Sequence, residues 1–368
     1  MPRHLAYFYA PALTLLLACG GGDPPQDEGT DSSSEGETGV PVLESLSLSI
    51  RDNPNSTINP FADLELTGSD LEVSQFSVEV FEAGESLGPR RVYDMDGSFS
   101  AFLWGLHGDT NYSARATYEG PDGSVESELV EFTTGPLPED VPEIEVLVHD
   151  ETRAHTGLVI IPIKMDGNQA YLGIDPGGEI AWYYRNQYEL GNPGGDLKVT
   201  LDGKFHIFRP GGIQIIEPWG EVLLDQPLEF HHEVTPMPNG DQLTLINREV
   251  TMDVDQFGGE VQVLVDGILQ VAPDGNIVKE WWSPEHIDHQ SWPSGLGLQE
   301  QPYDWTHSNA IVWLEDSQQL MVSMRHQLGV FMIDWETGDL LWELGPTGDF
   351  TLVNGDENDW FYNQHSPQ

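Results

Sequence analysis

The chain has 368 residues, enough for two domains with substantial cores, and its 62 acidic and 14 basic residues give a formal net charge of −48. Nucleic acids and anionic membrane surfaces bind proteins through positive patches, so this charge balance argues against both as partners. The acidity is spread along the whole chain, and it therefore identifies no substrate.

Residues 1–19 have the layout of a secretory signal that ends in a lipidation site. Arg3 and His4 precede an apolar run from Leu5 to Ala18 that is too short to span a bilayer. The sequence LLAC that ends at Cys19 resembles a bacterial lipobox, in which cleavage precedes the cysteine and a lipid is attached to its sulfur. Gly20 follows in place of the aspartate associated with inner-membrane retention, so we expect an outer-membrane anchor that faces the periplasm. The alternative is an ordinary cleaved signal peptide.

Cys19 is the only cysteine of the chain, which excludes a disulfide, a cysteine-based zinc site and a catalytic thiol. Residues 20–39 contain no large apolar side chain that could contribute to a core. We therefore expect a flexible acidic tether over residues 20–41.

Residues 42–136 are predicted to form a β-sandwich, because short alternating strands are separated by turn residues at intervals typical of that fold. The predicted strands are Leu46–Ile50, Asp63–Leu66, Phe76–Phe81, Ser98–Leu103, Tyr112–Tyr118 and Leu129–Thr133. Residues 106–116 resemble the tyrosine corner of fibronectin type III and immunoglobulin-like domains, with Tyr112 as the corner residue. We see no catalytic chemistry here and interpret His107 as a surface loop residue.

Residues 145–368 contain an internal repeat. Four segments share an apolar strand, a glycine turn and a second apolar strand, and Gly178, Gly220, Gly275 and Gly338 mark them at spacings of 42, 55 and 63 residues. Periods near 40 to 50 residues with four strands each are typical of a β-propeller. We name the segments repeats 1 to 4 and predict an all-β chain in which a propeller follows the sandwich.

Repeat 4, within residues 304–345, is predicted to be an antiparallel meander that gathers polar side chains at one end. Its strands are predicted over Ala310–Leu314, Leu320–Ser323, Val330–Asp334 and Leu340–Leu344. Strand alternation places His307 and Asn309 on one face, and Arg325 follows the adjacent end of the second strand. Together they suit a bound oxyanion. The alternative is a polar rim at the end of a sheet.

Histidines recur at the same place in successive repeats. His231 and His232 precede the first strand of repeat 3, His307 precedes that of repeat 4, and His365 lies where a fifth unit would begin. Because the innermost strands of a propeller line its channel, these side chains are predicted to meet at one channel mouth. The alternative for each histidine alone is a structural role.

Two chemistries fit such a ring. His231, His307 and His365 could ligate a metal ion, as in a metal-dependent hydrolase. Arg325 argues against this reading, because a fixed positive charge beside a cation is unfavourable. The same arginine favours transfer of an anionic group, in which a histidine attacks sulfur or phosphorus while other donors hold the oxygens.

The motifs together resemble those of the bacterial arylsulfate sulfotransferases, six-bladed propellers preceded by a small β-sandwich. These enzymes move a sulfuryl group from a phenolic sulfate ester to another phenol. The matching motifs, in order, are His231-His232-Glu233 with Pro238-Asn239-Gly240, Asp304-Trp305-Thr306-His307-Ser308-Asn309, Ser323-Met324-Arg325-His326-Gln327, Trp342-Glu343-Leu344-Gly345 and Gln364-His365.

The resemblance implies a role for each matching residue. His365 would be the nucleophile and would carry the sulfuryl group as an N-sulfohistidine between two half-reactions. His307 and one histidine of the 231–232 pair would hydrogen-bond the sulfuryl oxygens or shuttle the phenol proton. Asn309 and Arg325 would bind the sulfuryl oxygens. No cofactor, no nucleotide sulfate donor and no metal are expected.

The choice between His231 and His232 stays open at this point. The internal repeat pairs His231 with His307. In the family, the histidine directly precedes an acidic residue, and this pattern favours His232. The expected partners are small phenolic sulfate donors and phenol acceptors, with membrane contact only through the lipid anchor. The oligomeric state has no sequence signal.

We also expect the propeller to be C-terminally truncated, because the chain holds four repeats and only the first residues of a fifth. The activity of this chain would then be in doubt. The alternative function is a non-catalytic β-propeller that serves as a binding scaffold.

Overall fold

A computed structural model describes residues 13–14, 41–150, 153, 156–189, 197–200, 202–209, 211–227 and 230–367. Cys19 and residues 20–40 of the predicted tether lie outside this set. The described chain is all-β, as predicted, and its helical content is limited to short 3-10 turns. These turns are Val73–Gln75, Asp255–Phe257, Ser283–Glu285, Glu315–Ser317 and Glu357–Asp359. Within the described residues, no helix has the length and apolar character needed to cross a membrane.

The chain divides into two compact units. The N-terminal unit takes its described residues from Ala12–Asp166 and Ala170–Arg185, and the C-terminal unit takes them from Gly167–Gln169 and Asn186–Gln368. Each unit has its own buried apolar clusters. The candidate site lies entirely within the C-terminal unit.

Eight strands of the N-terminal unit form one sheet in the order β2-β3-β6-β5-β4-β7-β8, with β9 also paired to β7. They are β2 Val42–Asn53, β3 Ser56–Ser69, β4 Phe76–Glu82, β5 Glu85–Met95, β6 Ser98–Phe102, β7 Asn111–Gly120, β8 Gly123–Glu126 and β9 Val130–Thr133. In β7, alternate residues from Tyr112 to Tyr118 are buried, so the period of two places one face of the strand in the core.

All six strands predicted for this region are present, but the sequence analysis missed β5 and β8. Only Val92 of β5 is buried, and every residue of β8 is exposed, so neither strand has a clear apolar alternation. The backbone N–H of His107 donates to Tyr112 Oη at 2.9 Å, which is the hydrogen bond that defines a tyrosine corner. The fibronectin III-like assignment itself stays a prediction.

The four repeats form four antiparallel sheets whose strands follow chain order. Their strands are β10 Val159–Met165, β11 Asn168–Ile174 and β12 Ile180–Glu189 in repeat 1, with β1 Leu13–Thr14 beside β10; β13 Leu197–Val199, β14 Phe205–Arg209, β15 Gly212–Ile216 and β16 Val222–Pro227 in repeat 2; β17 Phe230–Pro236, β18 Gln242–Val254, β19 Gly259–Val271 and β20 Ile277–Trp282 in repeat 3; and β22 Ser308–Leu314, β23 Gln319–Met324, β24 Gly329–Asp334 and β25 Leu340–Leu344 in repeat 4.

The glycines that marked the repeats occupy the tight turn before the last strand of each sheet. Gly178, Gly220, Gly275 and Gly338 all have φ between 83° and 88°, a region in which a side chain would be strained. The recurring glycine therefore has a backbone cause, and the repeat inferred from the sequence corresponds to a structural repeat.

Repeats 3 and 4 pack against each other through a shared apolar cluster. Leu243, Leu245 and Trp281 of repeat 3 contact residues of repeat 4 that include Val322 and Phe331. The Trp281 indole donates to the Gly338 carbonyl at 2.9 Å, so this tryptophan joins the two sheets. The arrangement of the four sheets as blades of a propeller stays a prediction.

An inserted segment after repeat 3 places the start of repeat 4. The hairpin of β18 and β19 extends well beyond the other strands of its sheet, and Tyr303–Asp304, labelled β21, pairs in parallel with β19. Trp305 is 1% exposed, and its backbone N–H donates to the Leu264 carbonyl at 3.1 Å. The segment that leads to His307 is thus fixed to β19.

Candidate active site

Two consecutive histidines face the same site because β17 is bulged. His231 pairs with Leu245, but the next paired residue is Val234, so the two residues between them are extra in the ladder. His232 has φ of 58°, a left-handed conformation that is uncommon for a residue with a side chain and is often found at functional sites. As a result, Nδ1 of His231 and Nδ1 of His232 lie 2.9 Å apart instead of on opposite faces.

His307 enters the site in a similar way. It precedes β22 with φ of 47°, and Asn309 lies at a bulge between Ser308 and Ala310. Strand alternation therefore does not determine the direction of the His307 and Asn309 side chains, although we used it to predict both. The adjacency of the two strand ends is confirmed, because the backbone N–H of Arg325 donates to the His307 carbonyl at 3.1 Å.

His232 is the centre of a histidine cluster. Its ring centroid lies 5.1 Å from that of His231, 5.3 Å from that of His307 and 5.8 Å from that of His365. His326, to which we assigned no role, adds a fifth ring 4.6 Å from His307. The structure thus brings together the four histidines that the sequence analysis singled out.

Arg325 borders a cavity of about 460 Å³ beside this cluster. His307 and His326 also line it, together with residues of the inserted segment between Leu296 and Asp304. Within the described part of the chain, the half-buried Arg325 side chain makes no ion pair or hydrogen bond. Its planar set of donors is therefore available to an anion that enters the cavity.

The segment that carries His365 is held by side-chain amides. Asn309, 1% exposed, donates from Nδ2 to the Gln364 carbonyl at 2.8 Å. Gln364 in turn donates from Nε2 to the carbonyls of Met324 at 3.1 Å and Gly329 at 2.7 Å. Asn309 therefore secures the backbone next to His365, and its direct bond to a sulfuryl oxygen stays a prediction.

Two carboxylates that we had assigned no role support the histidines. Asp304 Oδ2 lies 2.5 Å from His307 Nδ1, and the Asp304 carbonyl lies 2.7 Å from His326 Nδ1. Asp266 is 3% exposed, and its Oδ1 lies 3.3 Å from His231 Nε2, close enough for an ion pair but outside ideal hydrogen-bond geometry. A carboxylate inside the apolar run QVLVDGILQV of β19 is the sequence signal that could have identified Asp266.

The Asp266 carboxylate is fixed by further donors from the segment before β22. Thr306 Oγ1 donates to Asp266 Oδ2 at 2.8 Å, and the Ser308 backbone N–H donates to the same oxygen at 2.5 Å. Burial raises the pKa of Asp266, but His231 and these donors outweigh burial and hold the pKa below its ordinary value. Asp266 is therefore an ionised carboxylate that joins repeat 3 to the start of repeat 4.

The two neighbouring histidines have opposite pKa shifts. Burial by itself lowers the pKa of His231, but the facing Asp266 carboxylate, helped by the Ile246 backbone and Asp304, outweighs burial and raises the pKa above its ordinary value. The surrounding protein and the neighbours His231, His307 and His365 lower the pKa of His232 to about 4, although His232 keeps exposed surface. A proton shared by this pair therefore resides on His231.

Two mixed groups of side chains bring metal-type donors together. Asp304, His307 and His326 offer donor atoms within 4.8 Å of one another, but the fixed charge of Arg325 on the same cavity disfavours a cation there. In the N-terminal unit, His107 Nε2 lies 2.9 Å from Asp175 and Nδ1 lies 3.1 Å from Glu179. That imidazole fills the space between the carboxylates, so His107 is a paired loop residue and not only a surface one.

Comparison with known families agrees with the geometry. The sequence profile described as Arylsulfotransferase (ASST) matches residues 143–368, a range that includes every histidine of the cluster, Asn309 and Arg325. No curated protein matches the chain. The chain belongs to the arylsulfotransferase family.

Proposed function

We propose that this protein is an aryl sulfotransferase that moves a sulfuryl group from a phenolic sulfate ester to a phenol through a sulfohistidine at His365. The observation that carries the proposal is the meeting of His232, His307 and His365 next to a cavity that Arg325 borders. Family membership supports sulfotransferase activity in general. The nucleophile, the intermediate and the choice of donor are the steps that we add.

Arg325 is the residue that binds the donor sulfate. The chain has a formal net charge of −48, so an anionic ester meets overall repulsion unless a local cation offsets it. A guanidinium matches two sulfate oxygens with two parallel N–H donors. Because the Arg325 side chain has no acidic partner among the described residues, it needs no rearrangement to engage the ester.

His365 attacks the sulfur atom in the first half-reaction. Ser366 Oγ lies 2.8 Å from His365 Nδ1, so a tautomer with its proton on Nδ1 has its lone pair on Nε2. A bond forms from this nitrogen to sulfur while the bond from sulfur to the phenolic oxygen breaks, and its electron pair leaves with the phenolate. In the second half-reaction, a second phenol attacks the same sulfur and the bond to His365 breaks.

His307 and Asp304 form a supporting dyad. The Asp304 carboxylate accepts a hydrogen bond from His307 Nδ1 at 2.5 Å, which fixes the ring and leaves Nε2 as the atom able to reach a sulfuryl oxygen or a phenol. His326 packs against His307 and is itself held at the Asp304 carbonyl. The dyad thus keeps the imidazole in one orientation throughout both half-reactions.

A colorimetric assay tests the proposal. Purified protein is mixed with 4-nitrophenyl sulfate and a phenol acceptor, and both nitrophenolate and the sulfated acceptor are measured. We expect turnover that His365→Ala abolishes and that the matched exposed variant His289→Ala retains. Without acceptor, mass spectrometry is expected to find one sulfuryl group on the peptide that contains His365. If the wild-type protein binds aryl sulfates without turnover, the binding-scaffold alternative replaces this proposal.

We also infer that the enzyme is lipid-anchored through Cys19 to the outer membrane and faces the periplasm. The inference is supported by the lipobox-like residues before Gly20 alone. Metabolic labelling with palmitate tests it, and label should be incorporated by the wild-type protein and absent from Cys19→Ala. Label in neither protein would point to an ordinary cleaved signal peptide.

A further inference from the structure

We propose that Asp266, His231 and His232 form a proton relay, in which His232 gives a proton to the departing phenolate and later takes one from the incoming phenol. This inference rests on the proposed function, which it deepens by separating the roles of the two consecutive histidines. His232 is the group that touches the reacting phenol oxygen. His231 and Asp266 are positioning residues that act through His232.

Two contacts in series carry the relay. Asp266 Oδ1 lies 3.3 Å from His231 Nε2, and His231 Nδ1 lies 2.9 Å from His232 Nδ1. The far side of the His232 ring faces the other histidines, with centroids 5.3 Å away at His307 and 5.8 Å away at His365. The relay therefore leads from the buried Asp266 carboxylate to the part of the site where, in the proposed reaction, the sulfuryl group and the phenol meet.

The Asp266 carboxylate determines which nitrogen atoms of His231 and His232 carry protons. Because Asp266 accepts hydrogen bonds only, His231 Nε2 keeps its proton in every state. The bond between the two Nδ1 atoms then has two forms. In one, a cationic His231 donates to His232, whose second proton is on Nε2. In the other, a neutral His231 accepts from His232, whose lone pair is on Nε2.

These two forms balance the two half-reactions. When the first phenolate leaves, it takes the proton from His232 Nε2, and the Nδ1 proton of His231 moves to His232 Nδ1. When the second phenol attacks, its proton goes to His232 Nε2, and the Nδ1 proton returns to His231. One proton enters and one leaves per cycle. The positive charge on His231, whenever it is present, faces the Asp266 carboxylate.

The surroundings of both rings favour this assignment. His231 faces the Asp266 carboxylate, and this carboxylate, the Ile246 backbone and the more distant Asp304 together raise its pKa against the effect of burial. His232 faces His231, His307 and His365; burial lowers its pKa most, and positive charge on any of these neighbours lowers it further. At rest, the extra proton of the relay is therefore on His231. His232 can pass this proton on without becoming a stable cation.

Asp266 stays in place while protons move, because three donors from two chain segments hold it. Thr306 and Ser308 donate to its carboxylate, and the Ser283 hydroxyl donates to its backbone carbonyl at 2.8 Å. The same residue thus sets the position of the segment that carries His307. This fixed geometry is what a positioning residue needs.

Donors with different leaving groups test the relay. A nitrophenolate leaves without protonation, whereas phenolate, with a phenol pKa of about 10, needs a proton. For Asp266→Asn and His231→Gln, we expect kcat/KM to fall less than about 10-fold with 4-nitrophenyl sulfate but about 100-fold or more with phenyl sulfate, the usual size of acid catalysis. Asp253→Asn, which removes an exposed carboxylate from the same hairpin, should leave both values unchanged. An equal loss with both donors would refute the relay and indicate a structural role.

A spectroscopic measurement separates failure of the relay from failure of the proposed function. In protein labelled with ¹⁵N-histidine, His231→Gln and His232→Gln assign the two rings by subtraction. Near pH 6, we expect a cationic His231 and a neutral His232 in the wild type, and a neutral His231 in Asp266→Asn. The same protonation of His231 in both proteins would overturn the relay, even if the wild type turns over no aryl sulfate. Thermal unfolding confirms that each variant is folded.

Discussion

Arg325 offers the most direct test of anion binding in the cavity. A hydrogen bond to a charged group contributes about 1.5–3 kcal/mol, and a guanidinium can make two such bonds to one sulfate. In the described part of the chain, the Arg325 side chain has no ion pair to lose, so its removal deletes donor binding without freeing a buried carboxylate. We expect Arg325→Ala to lose about 3 kcal/mol of transition-state stabilisation, or about 100-fold in kcat/KM.

The substitution Arg325→Lys separates charge from geometry. Lysine keeps the positive charge but loses the planar fork, so one of two bonds remains and about 10-fold is lost. Both variants are assayed with 4-nitrophenyl sulfate over a range of salt concentrations, beside Arg248→Ala. Arg248 stacks on Trp282, with its guanidinium carbon 3.8 Å from the ring centroid, and is absent from the cavity wall. Arg325 variants that lose no more activity than Arg248→Ala would refute the anion-binding role.

Four further outcomes are expected. Asp304→Asn should lower kcat about 10-fold to 100-fold with little change in KM, because His307 loses the carboxylate that orients it, and steady-state kinetics would show this. Gln364→Ala should lower kcat through the loss of two bonds that hold the segment before His365, while the thermal midpoint of the C-terminal unit changes little. The pKa of His232 falls to about 4 on folding, so its contribution to the free energy of unfolding is lost as pH falls from about 6.5 to 4. Denaturant titrations at several pH values should therefore show a smaller loss of unfolding free energy toward acid pH in His232→Gln than in the wild type. Tyr112→Phe should cost about 1 kcal/mol in the free energy of unfolding, since the His107 N–H loses its acceptor, and an unchanged midpoint would contradict this.

Periodicity predicted most of the strands, because a strand with one buried face alternates in the sequence. The predicted strand Leu340–Leu344 matches β25 at both ends. Alternation failed for β5 and β8, whose residues are mostly polar and exposed, so their pairing depends on neighbouring strands and not on their own pattern.

The site was predictable where the chain places histidines at equivalent positions, and less so where backbone irregularities aim them. No pattern in the sequence predicted the bulge at His231 or the left-handed backbone at His232 and His307. Asp266 escaped notice because its partners lie about 40 residues away along the chain, in the segment before β22. Such long-range contacts follow from the pairing of β19 with β21, which alternation alone does not specify.

The cavity has two walls of different origin. One carries His307, Arg325 and His326 at strand ends, while the other comes from residues 296–302 of the segment inserted between repeats 3 and 4. Changes in that segment can reshape the space offered to an aromatic ring without disturbing the residues assigned to sulfuryl transfer. If the proposed function holds, substrate preference would therefore depend in part on a stretch of the chain separate from the strand ends that carry the reacting groups.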